Sequence, residues 1–417
     1  MLLRHPAHPG RGVRLAYSQN VHPAASVAEL HANLRAITVP LRERLDARGD
    51  FGVGLYLAAP VAEELEARPA ALAELRALLS EHALDPFTYN AFPYAGFGAA
   101  GLKASVFDPP WSARERVEYT ARVARLACAL ARSPGASRER EPRADGHLSI
   151  STHTGAHSSR VDAAVAAAIP RGFAQALVEL GRLEREAGRR VVRALEPEPR
   201  ANVNDLAALA AWRGAALPTL GRELAARHLG ACIDACHAAV EFEEPERALS
   251  DALRGGAPLG KLQYTSALAL REPARHPAGR EQLFALDEPR YLHQVTARGA
   301  HGLARAGDLG EARAAFERGE PAWCDAQEWR CHFHVPTDLD SGGADGLRTT
   351  RAHAESLLAA AVGAPERWGT AELHLEIETY TWSILPRAAR GDGELVDGLE
   401  REYRHVLGCL GRLGWTA

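Results

Sequence analysis

Side chains that can bind metal ions recur where short apolar segments of this sequence end. The set comprises Glu196, Asp234, His237, Gln263, His332, His334 and Glu378. Carboxylate and amide oxygens combined with imidazole nitrogens suit Mn²⁺, Mg²⁺, Co²⁺, Zn²⁺ or Fe²⁺. A purely structural protein needs no such recurrence on successive segments. We therefore expect a divalent metal site, provided that the fold brings these segment ends together.

Two local patterns strengthen this expectation. Asp234 and His237 point to one place if a strand ends at Asp234 and a helical turn follows. His332 and His334 alternate along a segment that reads as a strand, which puts both imidazoles on the same face. Alone, a carboxylate at a strand end is also typical of a helix cap or an ion pair, and a His-x-His pair can be a hydrogen-bonded core pair. The patterns by themselves leave these alternatives open.

Three of the six cysteines, together with His237 and His332, offer a competing interpretation as ligands of a structural zinc ion. Cys232 and Cys236 flank Asp234, and Cys331 precedes His332. On a strand this spacing provides no knuckle turn, so we favour small buried core residues. No Cys-x-x-Cys pair occurs, which fits a reducing compartment. The sequence also lacks the Gly-x-Ser-x-Gly pattern of acyl-transfer enzymes.

Short apolar segments alternate with stretches of helical period along the chain. The strand candidates are residues 15–20, 51–57, 87–92, 148–152, 191–195, 231–235, 260–265, 330–335 and 373–379. This alternation predicts parallel strands joined by right-handed crossovers. Eight such units form an α/β protein of the (β/α)8 TIM barrel class.

Nine strand candidates are one more than a barrel needs. We place residues 330–335 in an excursion between the seventh and eighth barrel strands, because the preceding segment is long and rich in Pro and Gly. A doubly wound open sheet is the competing fold. It is expected to carry a glycine-rich phosphate loop after an early strand, and residues 18–23 contain no glycine.

We predict a single domain, residues 1–417, with three irregular parts. Residues 1–14 are expected to form a flexible N-terminus, residues 133–146 a polar solvated loop, and residues 264–329 the long excursion. Residues 93–111 mix aromatic side chains with glycines, which favours a loop packed over the barrel mouth. In such a barrel the functional residues collect at the C-terminal ends of the strands.

The overall composition excludes several functional classes. With 49 basic and 53 acidic side chains, a net charge of -4 and a pI near 6.5, the chain has no general attraction for nucleic acid. It shows neither a signal peptide nor a long apolar run typical of a membrane span, so we expect a cytoplasmic protein without membrane insertion. Only two of the basic residues are lysines, Lys103 and Lys261, which makes both unusual.

Several sequence blocks resemble a known family. They are NVHP (20–23), NAFPY (90–94), LEPEP (195–199), DACH (234–237), DEPRYLH (287–293), HFHVP (332–336) and ETYTW (378–382). In this order they resemble the EboE family, the metabolite traffic proteins of bacterial ebo gene clusters, within the xylose-isomerase-like TIM barrels. That superfamily includes sugar isomerases, epimerases and the endonuclease IV group. Residues 232–237 are particularly similar to the corresponding strand of endonuclease IV.

The resemblance implies which residues form the metal site. Its ligands would be Glu196, Asp234 and Glu378, with His237 as a neighbouring or second-site ligand. Gln263 stands where the superfamily usually has histidine, and an amide oxygen is a weaker ligand than imidazole. His332 or His334 could substitute for the missing histidine.

Our first hypothesis is a metal-dependent isomerase or epimerase that acts on a sugar or cyclitol. Glu196 or Glu378 would transfer the proton, and Lys261 would stabilise the developing negative charge. The candidate substrate-binding residues are Asn20, His22, Asn90, Tyr94, Lys103, Trp111, His153, Tyr380 and Trp382.

Two other hypotheses remain from the sequence. The presence of Gln263 in place of histidine modestly favours a non-catalytic protein that binds a metabolite and hands it to a partner. An endonuclease IV-like phosphoesterase is the third hypothesis. The family resemblance also implies other ebo-cluster proteins as partners, besides a small sugar-like or cyclitol-like molecule.

Overall fold

The computed structural model describes residues 1–97, 101–131, 146–385 and 393–417. The polar loop expected at residues 133–146 lies outside these ranges, except for Gly146. Within them the strands, in chain order, are β1 (Leu2–Leu3), β2 (Gly12–Tyr17), β3 (Phe51–Tyr56), β4 (Leu84–Asn90), β5 (His147–His153), β6 (Arg190–Glu196), β7 (Leu229–Asp234), β8 (Leu259–Tyr264), β9 (Ser266–Arg271), β10 (Val295–Gly299), β11 (Gly302–Ala306), β12 (Ala326–Val335), β13 (Leu347–Thr349) and β14 (Glu372–Ile377).

Helices fill most of the connections. Those of the described residues are Val27–Asn33, Val39–Arg44, Ala59–Ala67, Pro69–Glu81, Arg114–Leu130, Ala163–Ala187, Leu206–Leu220, Arg222–His228, Ala235–Val240, Pro245–Ala252, Pro277–Phe284, Leu309–Glu317, Pro321–Cys324, Arg351–Gly363 and Leu395–Arg412. Successive barrel helices contact one another.

Eight parallel strands form a closed barrel. Neighbours in the chain pair from β3 to β8, and β14 pairs with both β8 and β2. The ring closes between β2 and β3, where Ser18 forms a parallel bridge with Gly54. The chain is therefore a (β/α)8 TIM barrel, as the alternation of segments predicts.

Two glycines allow the barrel to close at this seam. A Cβ atom on Gly52 would overlap the carbonyl oxygen of Leu15. A Cβ atom on Gly54 would overlap the Glu376 carboxylate and lie 2.9 Å from the carbonyl oxygen of Tyr17. The glycines of β3 thus permit a close approach between β2 and β3 that larger residues would prevent.

Among the residues that the structure describes, one helix, Ala163–Ala187, is long and apolar enough to cross a membrane by length and composition alone. In this fold Phe173 and Leu180 lie on its buried face. It contacts the barrel helices Arg114–Leu130 and Leu206–Leu220. Its apolar residues therefore contribute to the packing of the helical layer.

A second sheet is inserted between β8 and β14. Its strand order is β11-β10-β12-β9-β13, and each neighbouring pair is antiparallel. It has its own hydrophobic core, which includes Leu270, Trp329 and Phe333. The ninth strand candidate belongs to β12 of this sheet, as predicted. The insertion continues to Thr349, past the predicted end of the excursion, because β12 and β13 both pair with β9.

The N-terminus is packed, which corrects the expectation of a flexible segment. β1 pairs antiparallel with β2, and Arg4 forms a bridge with Thr416 near the other end of the chain. The amino group of Met1 donates a hydrogen bond to the carbonyl oxygen of Leu15 at 2.9 Å. These contacts hold the first residues against the barrel.

Polar pairs occupy part of the barrel interior, where branched apolar residues usually pack. Lys261 donates hydrogen bonds to Glu376 at 2.6 Å and to the carbonyl oxygen of Tyr89 at 3.1 Å. Both charged side chains are completely buried. His147 and His374 stack with ring centroids 3.9 Å apart. Nε2 of His147 contacts the carbonyl oxygen of Gly260 at 3.3 Å, and Nδ1 of His374 contacts the Ser149 hydroxyl at 2.8 Å. Burying such groups without a partner would be costly.

Candidate metal centre

Three carboxylates meet at the C-terminal ends of the barrel strands. Glu196 is the last residue of β6, Asp234 is the last residue of β7, and Glu378 follows β14 directly. One oxygen of each lies within 4.8 Å of an oxygen of each of the others. All three side chains are buried. The barrel therefore brings together strand ends that are far apart in the sequence.

Three histidines converge beside these carboxylates. His237 lies in the short helix after β7, whereas His332 and His334 come from β12 of the inserted sheet. The Nε2 atoms are 3.1 Å apart for His237 and His332, 3.0 Å for His332 and His334, and 3.4 Å for His237 and His334. The regular pairing of β12 with β9 is interrupted at this point, as expected where a strand redirects its side chains. Phe333, between the two histidines, packs into the core of the inserted sheet.

The other nitrogen of each ring fixes the position of the proton. Nδ1 of His237 lies 3.0 Å from the carbonyl oxygen of Pro197, and Nδ1 of His334 lies 3.1 Å from that of Glu378. Nδ1 of His332 lies 2.5 Å from an amide oxygen. Because these oxygens only accept hydrogen bonds, each Nδ1 carries the proton. In the neutral rings the three Nε2 lone pairs therefore face one another, an arrangement that a cation between them would stabilise.

The spacing and the remaining donors fit a tetrahedral ion. Ligands at a Zn–N distance of about 2.0–2.1 Å lie about 3.3 Å apart, close to the observed separations of 3.0–3.4 Å. The Oδ1 atom of Asp234 accepts a hydrogen bond from the backbone N–H of His237 at 2.9 Å. Its Oδ2 atom has no hydrogen-bond partner among the described residues and lies 3.8 Å from Nε2 of His334. Glu196 and Glu378 each also keep one oxygen without a partner in the described ranges. Such buried oxygens are costly unless a cation or a ligand binds them.

Burial favours the protonated forms of the carboxyl groups. Burial, opposed by His237 and assisted by Asp234 and Glu198, raises the pKa of Glu196 to about 8. Burial also raises the pKa of Glu198 to about 7 and the pKa of Glu378 well above its usual value. The centre therefore holds protons near neutral pH when no cation is bound.

Two of the three histidines are neutral at pH 7 and can bind a cation. Burial lowers the pKa of His334 to about 4 and the pKa of His332 well below its usual value. For His237, burial acts to lower the pKa, but the surrounding carboxylates, led by Asp234, raise it above the ordinary value. A cation would thus compete with a proton mainly at His237.

We expect Zn²⁺ binding to the metal-free protein to release protons at pH 7. Glu196, with its pKa raised to about 8, is mostly protonated at that pH, and a neighbouring cation lowers the pKa of a carboxyl group. The release should decrease as the pH rises above 8, because the carboxyl group is then already ionised. Calorimetric titration in buffers of different ionisation enthalpy measures the number of protons. Glu196→Gln should reduce it, and a release that does not vary between pH 6 and 9 would contradict this assignment.

Gln294 orients His332, although no sequence pattern singled it out. Its side-chain oxygen accepts the Nδ1–H of His332, while its Nε2 donates to Glu198 at 3.0 Å and to the carbonyl oxygen of Pro199 at 2.9 Å. The antiparallel pairing of β10 with β12 places Gln294 beside His332, so only knowledge of this pairing would have identified Gln294.

Gln294→Leu is expected to weaken Zn²⁺ binding by about 10–100-fold, because partners that orient a metal-binding histidine contribute that much. The affinity is measured by competition with a chromophoric chelator. Gln282→Leu, which changes a glutamine of the same insertion bonded to the Gly342 carbonyl, is the matched control and should bind Zn²⁺ as the wild type does. Equal affinity in Gln294→Leu and the wild type would show that His332 does not need this partner.

Two residues predicted at the site have other bonding partners. The amide oxygen of Gln263, its only ligand atom, accepts a hydrogen bond from the Cys232 thiol at 2.8 Å. The ammonium group of Lys261 is held by Glu376 and is absent from the described pocket lining. We therefore leave Gln263 out of the proposed ligands. Lys261 has a structural partner inside the barrel, so we leave it out of the proposed catalytic residues as well.

A pocket opens onto the centre, and its empty space of about 520 Å³ includes open solvent at the entrance. The described residues that line it are Asn90, Phe92, Phe97, Leu102, Lys103, Val106, Glu196, Glu198, His237, Arg290, Tyr291, Leu292, His332, His334, Glu378 and Tyr380. Four of them come from the loop of residues 93–111, which therefore lies over the barrel mouth. The inserted sheet and the segment before it supply the other side of the entrance.

The structure brings four predicted substrate-binding residues to the centre or its pocket. They are Asn20, Asn90, Lys103 and Tyr380. The amide groups of Asn20 and Asn90 both donate to Oε1 of Glu378. The Tyr380 hydroxyl lies 3.2 Å from Nε2 of His332. Lys103 lines the pocket and forms an ion pair with Asp308 at 2.6 Å.

Five others are absent from the described pocket lining. They are His22, Tyr94, Trp111, His153 and Trp382. Trp111 stacks on Phe173 with ring centroids 3.9 Å apart, and Tyr94 packs edge-on against Tyr119 at 5.0 Å. His153 is completely buried beside Phe92. Trp111, His153 and Trp382 are buried, whereas His22 and Tyr94 are half-buried away from the described lining, so we leave all five out of the proposed substrate contacts.

The cysteines do not add thiolate ligands. The Sγ atom of Cys236 lies within 4.8 Å of ligand nitrogens of His332 and His334. However, its thiol contacts the carbonyl oxygen of Phe333 at 3.5 Å, and burial raises the pKa of Cys236 well above its usual value. Because the thiolate is the form that binds zinc, Cys236 is a core residue beside the centre.

Comparisons with known proteins find similarity only among solved structures. No family model matches the sequence, and no curated protein matches it. Among solved structures, the chain is similar to the IolI protein with a bound zinc atom, at 10% identity and a TM-score of 0.45, covering 96% of this chain and 99% of that one. It is also similar to an L-ribulose 3-epimerase, at 12% identity and a TM-score of 0.47, covering 96% and 95%. An AP endonuclease of family 2 from Brucella melitensis shares 15% identity at a TM-score of 0.33, covering 60% and 78%. At these values no function is transferred, and the barrel rests on its own strand order.

Proposed function

We propose that this protein is a divalent-metal-dependent isomerase or epimerase. Its substrate would carry a hydroxyl group next to a carbonyl group, as sugars and oxidised cyclitols do. The convergence of three Nε2 atoms beside carboxylates whose free oxygens have no hydrogen-bond partner among the described residues carries this proposal. The resemblance to the EboE family supports a place in the synthesis or transport of a secreted metabolite.

The donor set indicates which residues would hold the ion. They are His237, His332, His334 and Asp234. A divalent ion at this place would polarise a substrate carbonyl and increase the acidity of the adjacent C–H bond. The two glutamates of the centre then remain available for proton transfer.

Glu196 and Glu378 can hold and move a proton between them and a substrate. Their carboxyl oxygens lie within 4.8 Å of each other, and burial raises both pKa values. Two buried carboxyl groups this close favour one protonated and one ionised form, so that one can accept a proton from carbon while the other donates one. Asn20 and Asn90 both occupy Oε1 of Glu378 and leave its Oε2 for the substrate.

Exchange with solvent deuterium tests the proposed reaction. The protein loaded with Zn²⁺ or Mn²⁺ is incubated in D2O with ketoses, aldoses and inososes, each free and with an attached alkyl or aryl group, and the products are analysed by mass spectrometry and NMR. We expect carbon-bound deuterium in at least one compound, abolished by Glu196→Gln or Glu378→Gln and retained in the exposed control Glu366→Gln. A metal-loaded protein that exchanges none of these compounds would contradict the proposal.

A binding protein without turnover is the second candidate. The absence of an imidazole at Gln263 and the mainly apolar pocket walls favour it. In that case a bound metabolite would be recovered unchanged, and other ebo-cluster proteins would accept it. Co-purification with such proteins, together with no deuterium exchange, would support the carrier function.

A phosphoesterase acting on nucleic acid is less well supported. In the described lining of the pocket the cations are Lys103 and Arg290, and Lys103 is already paired with Asp308 and Asp287. Binding to a nucleic acid depends on several phosphate contacts from basic residues. This entrance provides too few of them.

A further inference from the structure

The walls of the pocket are apolar, in contrast to the centre onto which it opens. One wall belongs to a hydrophobic cluster that includes Phe97 and Tyr291, with Tyr380 packed against it. The ring centroids of Phe97 and Tyr380 are 5.2 Å apart, and those of Tyr291 and Tyr380 are 5.1 Å apart. A second cluster around Phe92 contributes Leu292 to the lining. Aromatic and aliphatic surfaces therefore line the approach to the metal centre.

The polar side chains of these walls are already engaged. The Asn90 amide donates to Glu378 and its oxygen accepts from the backbone N–H of Phe92. The ammonium group of Lys103 contacts Asp308 at 2.6 Å and Asp287 at 3.2 Å.

The Tyr380 hydroxyl contacts a histidine of the centre, and the Arg290 guanidinium lies 5.7 Å from the ring centroid of Tyr291. A small free sugar would lose the hydration of its outer hydroxyl groups in this pocket and find few partners for them. Unpaired hydroxyl groups weaken binding.

The inserted sheet and the mouth loop enclose this apolar space together. Backbone N–H groups of Gly101 and Lys103 donate to the carbonyl oxygens of Pro289 at 3.0 Å and Arg290 at 3.1 Å. These contacts bring Phe97 on the loop and Tyr291 on the insertion to a centroid distance of 6.3 Å. Hydrogen bonds and aromatic contacts therefore join the two separate parts of the chain that form the pocket walls.

We propose that the substrate is amphiphilic: an oxygen-bearing head that reaches the metal centre, attached to an aromatic or hydrocarbon body that lies against Phe97, Tyr291 and Leu292. This proposal relies on the proposed function for the head of the molecule. The aromatic or hydrocarbon part of the substrate is inferred independently, from the side chains that line the pocket. A free hexose or cyclitol would fill only the inner part of the site.

Two alkyl hydroxamates serve as probes, because both offer the same pair of adjacent oxygens and differ only in tail length. Calorimetry compares acetohydroxamate with octanohydroxamate on the full chain, with and without Zn²⁺. A buried methylene strengthens binding roughly fourfold. If about half of the six additional methylenes are buried, octanohydroxamate should bind roughly 50-fold more tightly than acetohydroxamate.

Matched variants separate this pocket from unspecific adsorption of the tail. Leu292→Asn replaces a wall residue and should reduce the preference for octanohydroxamate at least about fivefold, while acetohydroxamate binds as before. Val106→Thr, a smaller change in the same wall, provides a second variant if the first does not fold. Leu303→Asn changes an exposed leucine of the same insertion and should leave the preference intact.

The outcomes distinguish this proposal from the proposed function. Zn²⁺-dependent binding of both hydroxamates with equal affinity would overturn the amphiphilic substrate and leave the metal-dependent function standing. A tail preference that persists unchanged in Leu292→Asn and Val106→Thr would also overturn it. Binding that does not depend on Zn²⁺ would contradict the proposed function. The apolar site would then be supported only if Leu292→Asn still weakens octanohydroxamate binding, and overturned if it does not.

Discussion

His334→Ala is expected to weaken Zn²⁺ binding by more than about 100-fold. The change removes one of three Nε2 atoms that lie 3.0–3.4 Å apart, and this atom also lies 3.8 Å from Oδ2 of Asp234. Loss of a partner that only orients a ligand already costs about 10–100-fold, so loss of the ligand itself should cost more. Competition with a chromophoric chelator at pH 7.5 measures the affinity.

His301→Ala is the matched control for this experiment. His301 is an exposed histidine of the same insertion, next to Asp325 and away from the centre. The control should bind Zn²⁺ as the wild type does, and thermal unfolding of both variants checks that they are folded. A folded His334→Ala protein with wild-type affinity would show that the histidines are not the ligands.

The second large effect is expected inside the barrel. Lys261→Met should lower the free energy of unfolding by about 3–5 kcal/mol, because it leaves Glu376 charged and buried without its partner. Both side chains are completely inaccessible, and Nζ of Lys261 lies 2.6 Å from the Glu376 carboxylate. Burial acts to lower the pKa of Lys261, but the contact with Glu376 keeps it above its usual value. Urea unfolding followed by circular dichroism measures the loss.

Two further variants show whether the decrease in the free energy of unfolding comes from the broken ion pair. Lys261→Met combined with Glu376→Leu should recover at least half of the stability, since an apolar pair does not need an ionic partner. Arg114→Met removes the exposed ion pair with Glu118 and should cost less than about 0.5 kcal/mol. If Lys261→Met costs no more than Arg114→Met, the buried pair does not stabilise the barrel.

Lys261→Arg is also expected to impair the protein, for a steric reason. An arginine at this position keeps the charge but must place a wider, planar group between Glu376 and the carbonyl oxygen of Tyr89. The sequence singled out Lys261 because lysine is rare here. In the structure Lys261 bonds inside the barrel, so we base the expected effect of this substitution on packing and not on contact with a substrate.

The barrel itself could be predicted because its signal is local. Apolar segments, such as those ending in Glu196 and Asp234, alternate with stretches of helical period along the chain. The C-terminal ends of the parallel strands in a barrel lie on one face. His332 and His334 could likewise be placed on one face of a strand. Their convergence with His237 could not be predicted, because it depends on how the inserted sheet docks onto the barrel.

Other parts of the centre leave no local trace in the sequence. Gln294 is distant from His332 in the chain and reaches it only through the pairing of β10 with β12. Trp111 belongs to a segment rich in aromatic residues and glycine, which is typical of a pocket wall, yet its side chain stacks on Phe173 in the core. Residue type alone does not separate core packing from ligand contact.

The ligand set of a bound ion is the central claim, and X-ray absorption spectroscopy of the Zn²⁺-loaded protein tests it most directly. We predict one ion per chain with three imidazole nitrogens at about 2.0–2.1 Å and an additional oxygen ligand, in agreement with His237, His332, His334 and Asp234. In His334→Ala the imidazole scattering should decrease by one ligand or the ion should be lost. A spectrum with oxygen ligands only would move the ion to Glu196, Asp234 and Glu378, and a protein that cannot be loaded at all would contradict the metal centre.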